Sequence, residues 1–179
     1  MSRLPLPVKL QTERLLLQRV KYEDAEEIFY AYASKPEATR YVTWPTHRSI
    51  EDTRDFLRHA VAAWELGIDY SYTVRLRNGM LIGGIGALNH DGKIQFGYIF
   101  SPVHWGNGYA TEACRSLLSE LKPLSDIYRI HTFVDVANEA SIKVLRKCGL
   151  VEEAVLPKWF RFANQNNEPR DCILFRLKP

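Results

Sequence analysis

Several kinds of protein can be set aside from what this chain does not contain. It has no C-x-x-C pair and no Cys/His cluster. Its three cysteines, Cys114, Cys148 and Cys172, are scattered and odd in number. That spacing supports neither a metal site nor a disulfide framework; it fits reduced thiols in a cytoplasmic protein. The longest weakly polar stretch, "LIGGIGAL" (81–88), is far too short to span a bilayer. The first residues, Met1 to Pro7, lack the apolar core of a signal peptide, so no membrane partner is expected. There is no dense Lys/Arg block, and the net charge is only +3. A nucleic-acid partner is not expected either, because it would need a dense basic face. Repeats, low-complexity tracts and long linkers are missing too. Neither G-x-x-x-x-G-K-[ST] nor G-x-G-x-x-G occurs, which excludes a P-loop and makes a Rossmann dinucleotide site a poor fit.

What is present is an ordinary globular composition, 46% hydrophobic and 25% charged over 179 residues. That length is enough for one domain, 1–179, with a substantial core.

Periodicity gives the elements. "TERLLLQRV" (12–20) reads as a strand. "YEDAEEIFYAYA" (22–33) sets Ala25, Ile28, Phe29 and Tyr32 at helical spacing, with Pro36 just beyond. Residues 38–48 read as a loop of aromatic and polar side chains. Ser49 with Asp52 marks a second helix, which buries Leu57, Ala60 and Trp64 and stops near Gly67. Residues 69–77, 81–89 and 94–101 read as strands joined by turns at Asn78-Gly79 and Asp91-Gly92. A helix beginning near Gly108 aligns Ala110, Ala113, Cys114, Leu117, Leu118 and Leu121 on one face. Residues 128–136 form a strand, Asn138 caps a helix ending at Gly149, and strands at about 150–162 and 171–177 close the chain. The strand–helix–strand unit at 94–136 can set its two strands parallel. The other neighbours are antiparallel, so the class is α+β.

One stretch needs a reason beyond packing. "HWGNGYATEA" (104–113) places two glycines and an asparagine directly before a helix. A helix N-terminus offers unpaired N–H groups and partial positive charge, and glycines let a phosphate come close to them. Gly106-Asn107-Gly108 is therefore either an anion-binding turn or a plain tight turn, and glycine spacing alone leaves both readings open.

The longer segment "FGYIFSPVHWGNGYATEA" resembles the acetyl-CoA-binding motif of the GNAT superfamily of N-acetyltransferases. "TERLLL", "NEASIKVLRKCGL" and "PRDCILFRL" resemble, in the same order, its ribosomal-protein N-terminal acetyltransferase (RimJ/RimL-like) branch. The resemblance covers nearly the whole chain. It implies a mixed, mostly antiparallel sheet of about six to seven strands with a splayed parallel pair, flanked by about four helices. It also implies transfer of an acetyl group from acetyl-CoA to a primary amine, either a protein N-terminus or a small molecule. No metal is implied, and a homodimer would be ordinary for the family.

Residue by residue, the resemblance assigns the pyrophosphate to backbone N–H groups of Trp105, Gly106, Asn107, Gly108, Tyr109 and Ala110. Trp is usual at position 105 in the ribosomal branch. Lysine is common at 107, so one favourable charge is missing there. The pantetheine arm is assigned to the strand edge from Tyr98, mainly Phe100, Ser101 and Val103, where it would pair like an added strand. Asn138 is assigned to the same arm and Ser141 to the catalytic role of donor to the leaving thiolate. Their alternative is an ordinary N-cap and first turn.

The base is the weak point of the pattern. Many relatives carry glutamate where this chain has Gln95, and amide side chains are not bases. His90, Asp91, His131 and Asp135 are the other candidates, and water is an alternative to all of them. Gln95 keeps open a non-catalytic acyl-CoA-binding module; Asn138 and Ser141 argue against it. The acceptor cleft is assigned to "RYVTWPTHR" (40–48) and "PKWFRFANQNNEPR" (157–170), with Tyr41, Trp44, Trp159 and Phe160 as its aromatic wall.

Overall fold

The structure is a computed structural model that describes residues 3–178. Eight strands form one sheet in the order β1-β2-β3-β4-β5-β6-β8-β7. They are β1 (Lys9–Gln11), β2 (Leu15–Arg19), β3 (Asp69–Leu76), β4 (Leu81–His90), β5 (Lys93–Phe100), β6 (Arg129–Asp135), β7 (Leu150–Arg161) and β8 (Pro169–Leu177). The helices are α1 (Ala25–Ile28), α2 (Pro36–Thr39), α3 (Ile50–Glu65), α4 (Tyr109–Leu121) and α5 (Glu139–Lys147).

The α+β class and the parallel pair agree with expectation; the counts are slightly higher. The extra strand is β1, three residues that pair with β2 from Lys9 to Gln11. It is too short to give a periodic signal. The extra helix is α2, one turn at the edge of the segment that reads as a loop. Pro36 occupies its first turn, where a missing N–H costs nothing. The 22–33 helix is also not regular. Its second half, Phe29–Ala33, widens into a π turn in which Ser34 N–H reaches Phe29 O at 3.1 Å.

Caps and turns fall where the residue types dictate. Ser49 and Asp52 form a reciprocal capping box on α3. Asp91 and Gly92 both take positive φ, 54° and 86°, as a tight hairpin requires. In β4, "GG" reflects close approach: a Cβ on Gly84 would lie 2.7 Å from the Tyr32 hydroxyl, and one on Gly83 would lie 2.6 Å from Ile99 O. That is how α1 and its π turn settle directly on the sheet.

Two clusters of buried residues hold the sheet. The larger gathers Leu117, Leu118 and Leu121 of α4 and Leu145 of α5 against Ile94, Phe96 and Phe100 of β5 and Val134 of β6. The smaller gathers Ala25, Ile28, Tyr32, Leu57 and Ala60 around Leu81. Alternation follows: Ile94, Phe96, Tyr98 and Phe100 point to the α4/α5 face, while Gln95, Gly97 and Ile99 point to the other.

β5 and β6 are parallel, but they pair only at Lys93–Arg129, Ile94–Ile130 and Gln95–His131. β5 continues to Phe100 and β6 to Asp135 without pairing further, so the sheet opens as a V at its centre. Beyond the opening β6 pairs with β8 on its far side. No helix among the described residues is long and apolar enough to cross a membrane.

Candidate active site

The V exposes strand edge in the middle of a sheet. Ser101 N–H donates to Ile82 O at 2.8 Å. By alternation, the backbone groups of Phe96, Tyr98 and Phe100 face away from β4 and into the gap. Phe100 O already accepts the Trp105 indole N–H at 3.0 Å. Ser101 is buried and committed to the sheet, whereas Val103 and Trp105 are exposed.

The chain leaves β5 through the short turn Pro102–His104 and enters the glycine stretch. Gly106 and Gly108 both have φ of +78°, a conformation that costs other residues about 1–2 kcal/mol. A Cβ on Gly106 would meet nothing within 4 Å, so the space over the turn is open. Gly108 is the N-cap of α4 and has no side chain to satisfy the first-turn amides. Those N–H groups, with the positive end of a 13-residue helix, form an anion cradle. Asn107, where a lysine is common, donates its side-chain N–H groups to His104 O and Trp105 O, both at 3.1 Å. It brackets its own loop.

A second support comes from the other end of the chain. Glu112, in the first turn of α4, accepts from Thr12 Oγ1 at 2.6 Å, from Arg14 N–H at 2.9 Å and from Arg14 Nε at 2.7 Å. Arg14 Nη1 then donates to Asn107 O at 2.9 Å, and its guanidinium lies 4.7 Å from the Tyr109 ring centre. Burial opposes ionisation of Glu112, but the bonds from Thr12 and Arg14 outweigh it and hold its carboxyl below the ordinary value. "TERLLL" thus clamps a loop 93 residues downstream. No local pattern links the two segments, so only the fold reveals the partnership. A groove of about 730 Å³ beside Gly108 and Thr111 is bordered by Arg14, Arg115 and Lys147 together with Glu13 and Glu112, of which Glu112 is paired with Arg14.

α5 begins at the open end of β6. Asn138 Oδ1 accepts Ser141 N–H at 3.2 Å, so the residue is an N-cap. Ser141 Oγ lies 2.8 Å from the Tyr98 hydroxyl. The sequence presents Tyr98 only as strand edge; its side chain crosses the V on the α4/α5 face. Burial pushes its pKa far up, so the phenol stays protonated.

The candidate bases separate by position. His90 and Asp91 sit in the β4–β5 turn, at the closed end of the V. Asp135 is buried and accepts three bonds: from Ala137 N–H at 2.8 Å, from Gln165 Nε2 at 3.1 Å and from Arg170 Nε at 3.1 Å. These bonds tie the end of β6 to the closing hairpin. His131 lies at the point where the strands part. Burial, then the charges of Arg129 and Lys93, lower its pKa and keep it neutral. Gln95 is its partner in register.

The two loops that the resemblance assigns to the acceptor do meet. Asn164 Nδ2 donates to Thr39 O at 2.7 Å and Trp44 O at 3.0 Å, and its Oδ1 accepts Thr46 N–H at 2.9 Å. One hairpin side chain therefore fastens the 39–46 segment to the 157–170 segment. Phe160 and Trp159 flank Phe133 of β6, with ring centres 5.4 and 6.5 Å away. Tyr41 OH approaches Ala137 O at 3.4 Å beside the start of α5. Trp44 instead packs on His47 at 5.0 Å, on the α1/α3 cluster. Gly97 is exposed although it sits in a central strand, with open space where its Cβ would be, so β5 is uncovered at this point on the face away from α4 and α5.

A parallel strand pair parted at its centre, with a glycine turn and a helix N-terminus at the end of one arm, marks the class of α+β fold to which the chain belongs. Comparison with known proteins gives the class its name. The model for the acetyltransferase (GNAT) domain matches residues 14–151. The chain is 31% identical over 173 residues to the uncharacterized N-acetyltransferase YoaA of Bacillus subtilis, covering 94% of this chain and 95% of that one. It shares its fold with RimL, a ribosomal L7/L12 α-N-protein acetyltransferase solved with coenzyme A (TM-score 0.83, 18% identity, 95% of each chain). The microcin C7 self-immunity acetyltransferase MccE, solved with acetyl-CoA and AMP, is equally similar (TM-score 0.83, 19% identity, 92% of each chain). This chain belongs to the GNAT acetyltransferase family and is an acyltransferase.

Proposed function

We propose that the protein transfers the acetyl group of acetyl-CoA to a primary amine, by direct attack and without an acyl-enzyme intermediate. The observation that carries this reading is the V between β5 and β6, ending at the Gly106–Gly108 cradle. RimL with coenzyme A and MccE with acetyl-CoA share this fold, which supports the choice of donor. The cradle residues Trp105 to Ala110 would hold the pyrophosphate by backbone N–H groups. Phe100, Val103 and the Asn138 side chain would line the pantetheine arm, and Ser101 would support it from within the sheet.

The chemistry asked of the side chains is modest. A neutral amine attacks the thioester carbonyl from the Gly97 side. Backbone N–H groups of the open β5 edge polarise the carbonyl oxygen. The C–S bond breaks, and the Ser141 hydroxyl donates to the sulfur as it gains charge. An α-amino group, with a pKa near 8, is partly neutral at pH 7 and needs little help to lose its proton. That matches a site with Gln95 at the usual glutamate position and with Asp135 already paired. The acceptor is accordingly a protein N-terminus or a small amine of similar basicity, held between Tyr41, Trp159 and Phe160, with Trp44 shaping the loop behind.

Thiol release from acetyl-CoA over a panel of amines tests the proposal. The panel holds peptides with ribosomal-protein N-termini, free amino acids, polyamines and aminoglycosides. Turnover on one class, slowed in Ser141→Ala, is the expected result. Tight CoA binding with no turnover on any amine would overturn the transfer reaction; failure to bind CoA at all would overturn the site.

A further inference from the structure

Tyr98 has a hydroxyl that neither the sheet nor the core requires. It lies three residues beyond the last β5–β6 pair, where the strands have already parted. Its ring fills the α4/α5 face next to Phe100, 6.4 Å between centres. Its oxygen is 2.8 Å from Ser141 Oγ and 3.5 Å from Ser141 O. Ser141 belongs to α5, which continues from β6, so this contact spans the V from one arm to the other.

The contact also decides where the serine hydroxyl can point. A helical serine commonly returns its hydroxyl to a carbonyl of the preceding turn. Ser141 does not: among the described residues its Oγ has Tyr98 as its partner. A hydroxyl carries one hydrogen and two lone pairs. When the phenol hydrogen occupies one serine lone pair, the serine hydrogen is left to point elsewhere, and the open direction is the gap between the strands. We propose that Tyr98 is a positioning residue for acyl transfer, donating to Ser141 Oγ so that the serine hydroxyl is aimed at the departing sulfur.

The proposal rests on the role given above to Ser141. In the reaction the amine nitrogen forms a bond to the carbonyl carbon, the C–S bond breaks, and its electron pair goes to sulfur. The amine proton leaves to water. No proton leaves Tyr98; partly buried and held neutral by its raised pKa, it acts only through the serine.

Free coenzyme A is the probe that isolates this effect, because its thiol is the leaving group. A hydroxyl donating to the sulfur favours the thiolate and lowers the thiol pKa. The titration follows thiolate absorbance of the CoA complex, as a difference from the CoA-free protein. In the wild type the bound thiol is expected to ionise below the pH at which free CoA does. Tyr98→Phe keeps the ring and removes the hydroxyl. It is expected to move that pH upward by about half to one unit, the worth of roughly one hydrogen bond, with CoA affinity within about twofold of wild type. Ser141→Ala is expected to do the same, and the double variant to go no further than Ser141→Ala alone. A bound thiol that titrates identically in wild type and Tyr98→Phe, while Ser141→Ala shifts it, would overturn the proposal and leave the serine's role intact. Ser141→Ala without effect would instead overturn the serine's role, and the role of Tyr98 with it. Tyr98→Phe losing CoA affinity about tenfold, with no thiol shift, would overturn the positioning role and mean that the contact only holds the V together.

Discussion

The two faces of the V are built in different ways. The donor side is made of backbone: an open strand edge, two glycines at positive φ and the amides of α4. Its side chains mostly hold other backbone in place, as Asn107, Glu112 and Arg14 do. The face proposed for the acceptor is made of side chains. Its aromatic walls come from two segments joined by Asn164, which reaches back 118 positions to Thr46. Backbone recognition tolerates sequence change as long as φ and the cap are kept. Side-chain recognition changes with every substitution.

The sharpest way to break this comparison is at Gly108. A β-branched residue at φ +78° beside the Arg14 guanidinium cannot keep the turn. Gly108→Val is expected to weaken CoA binding about a hundredfold, or about 2.7 kcal/mol, as read by calorimetry. A Gly108→Val protein that binds CoA as the wild type does would show that the cradle is not made by this turn.

Asn164→Ala tests the other side. It leaves Trp44 O and Thr46 N–H without this partner, while Thr39 O keeps only the Val42 N–H, at 3.2 Å. Urea unfolding should report a loss of about 2–3 kcal/mol, and the acceptor KM should rise about tenfold while CoA affinity stays within about twofold. Equal losses for both ligands would mean that the two faces are not separable.

Glu112→Gln sits between the two extremes, because it alters a side chain that serves backbone. It should cost about 1.5 kcal/mol in stability and weaken CoA about fivefold. Its pH signature has a definite sign. The Glu112 carboxyl is held below its ordinary value of 4.5, so its stabilisation is present above that pH and is lost as pH falls through the lowered folded value. The wild type should therefore lose its advantage over Glu112→Gln in acid-unfolding curves run downward from about pH 5. A constant gap at all pH values would refute the assignment.

The smallest effect is expected at Trp159, which is 55% exposed. Trp159→Ala should change stability by less than about 0.5 kcal/mol and should raise the acceptor KM about threefold, with kcat and CoA affinity unchanged. An unchanged acceptor KM would remove Trp159 from the cleft wall.

Legibility in the sequence follows the same division. The meander turns, the Ser49 cap, the glycine stretch and the Asn138 cap are all readable, because each depends on residues close together in the chain. β1 and α2 are not, being too short for their pattern to repeat. The π turn at Phe29–Ala33 has no residue signature of its own. Tyr98 is visible as a strand residue but not as a partner of Ser141, 43 positions away. Arg14 with Glu112, and Asn164 with Thr39 and Trp44, are invisible for the same reason.

Short-range sterics and periodic burial act along the chain, so the longer elements, the parallel crossover and the glycine turn before α4 follow from residue order alone. Which side chains meet at the site depends instead on how the strands are laid beside one another. Parting β5 from β6 brings Tyr98 to Ser141, opens the space over Gly97 and turns Asp135 inward to Arg170. Each of those pairings is a distance between elements rather than a spacing along one.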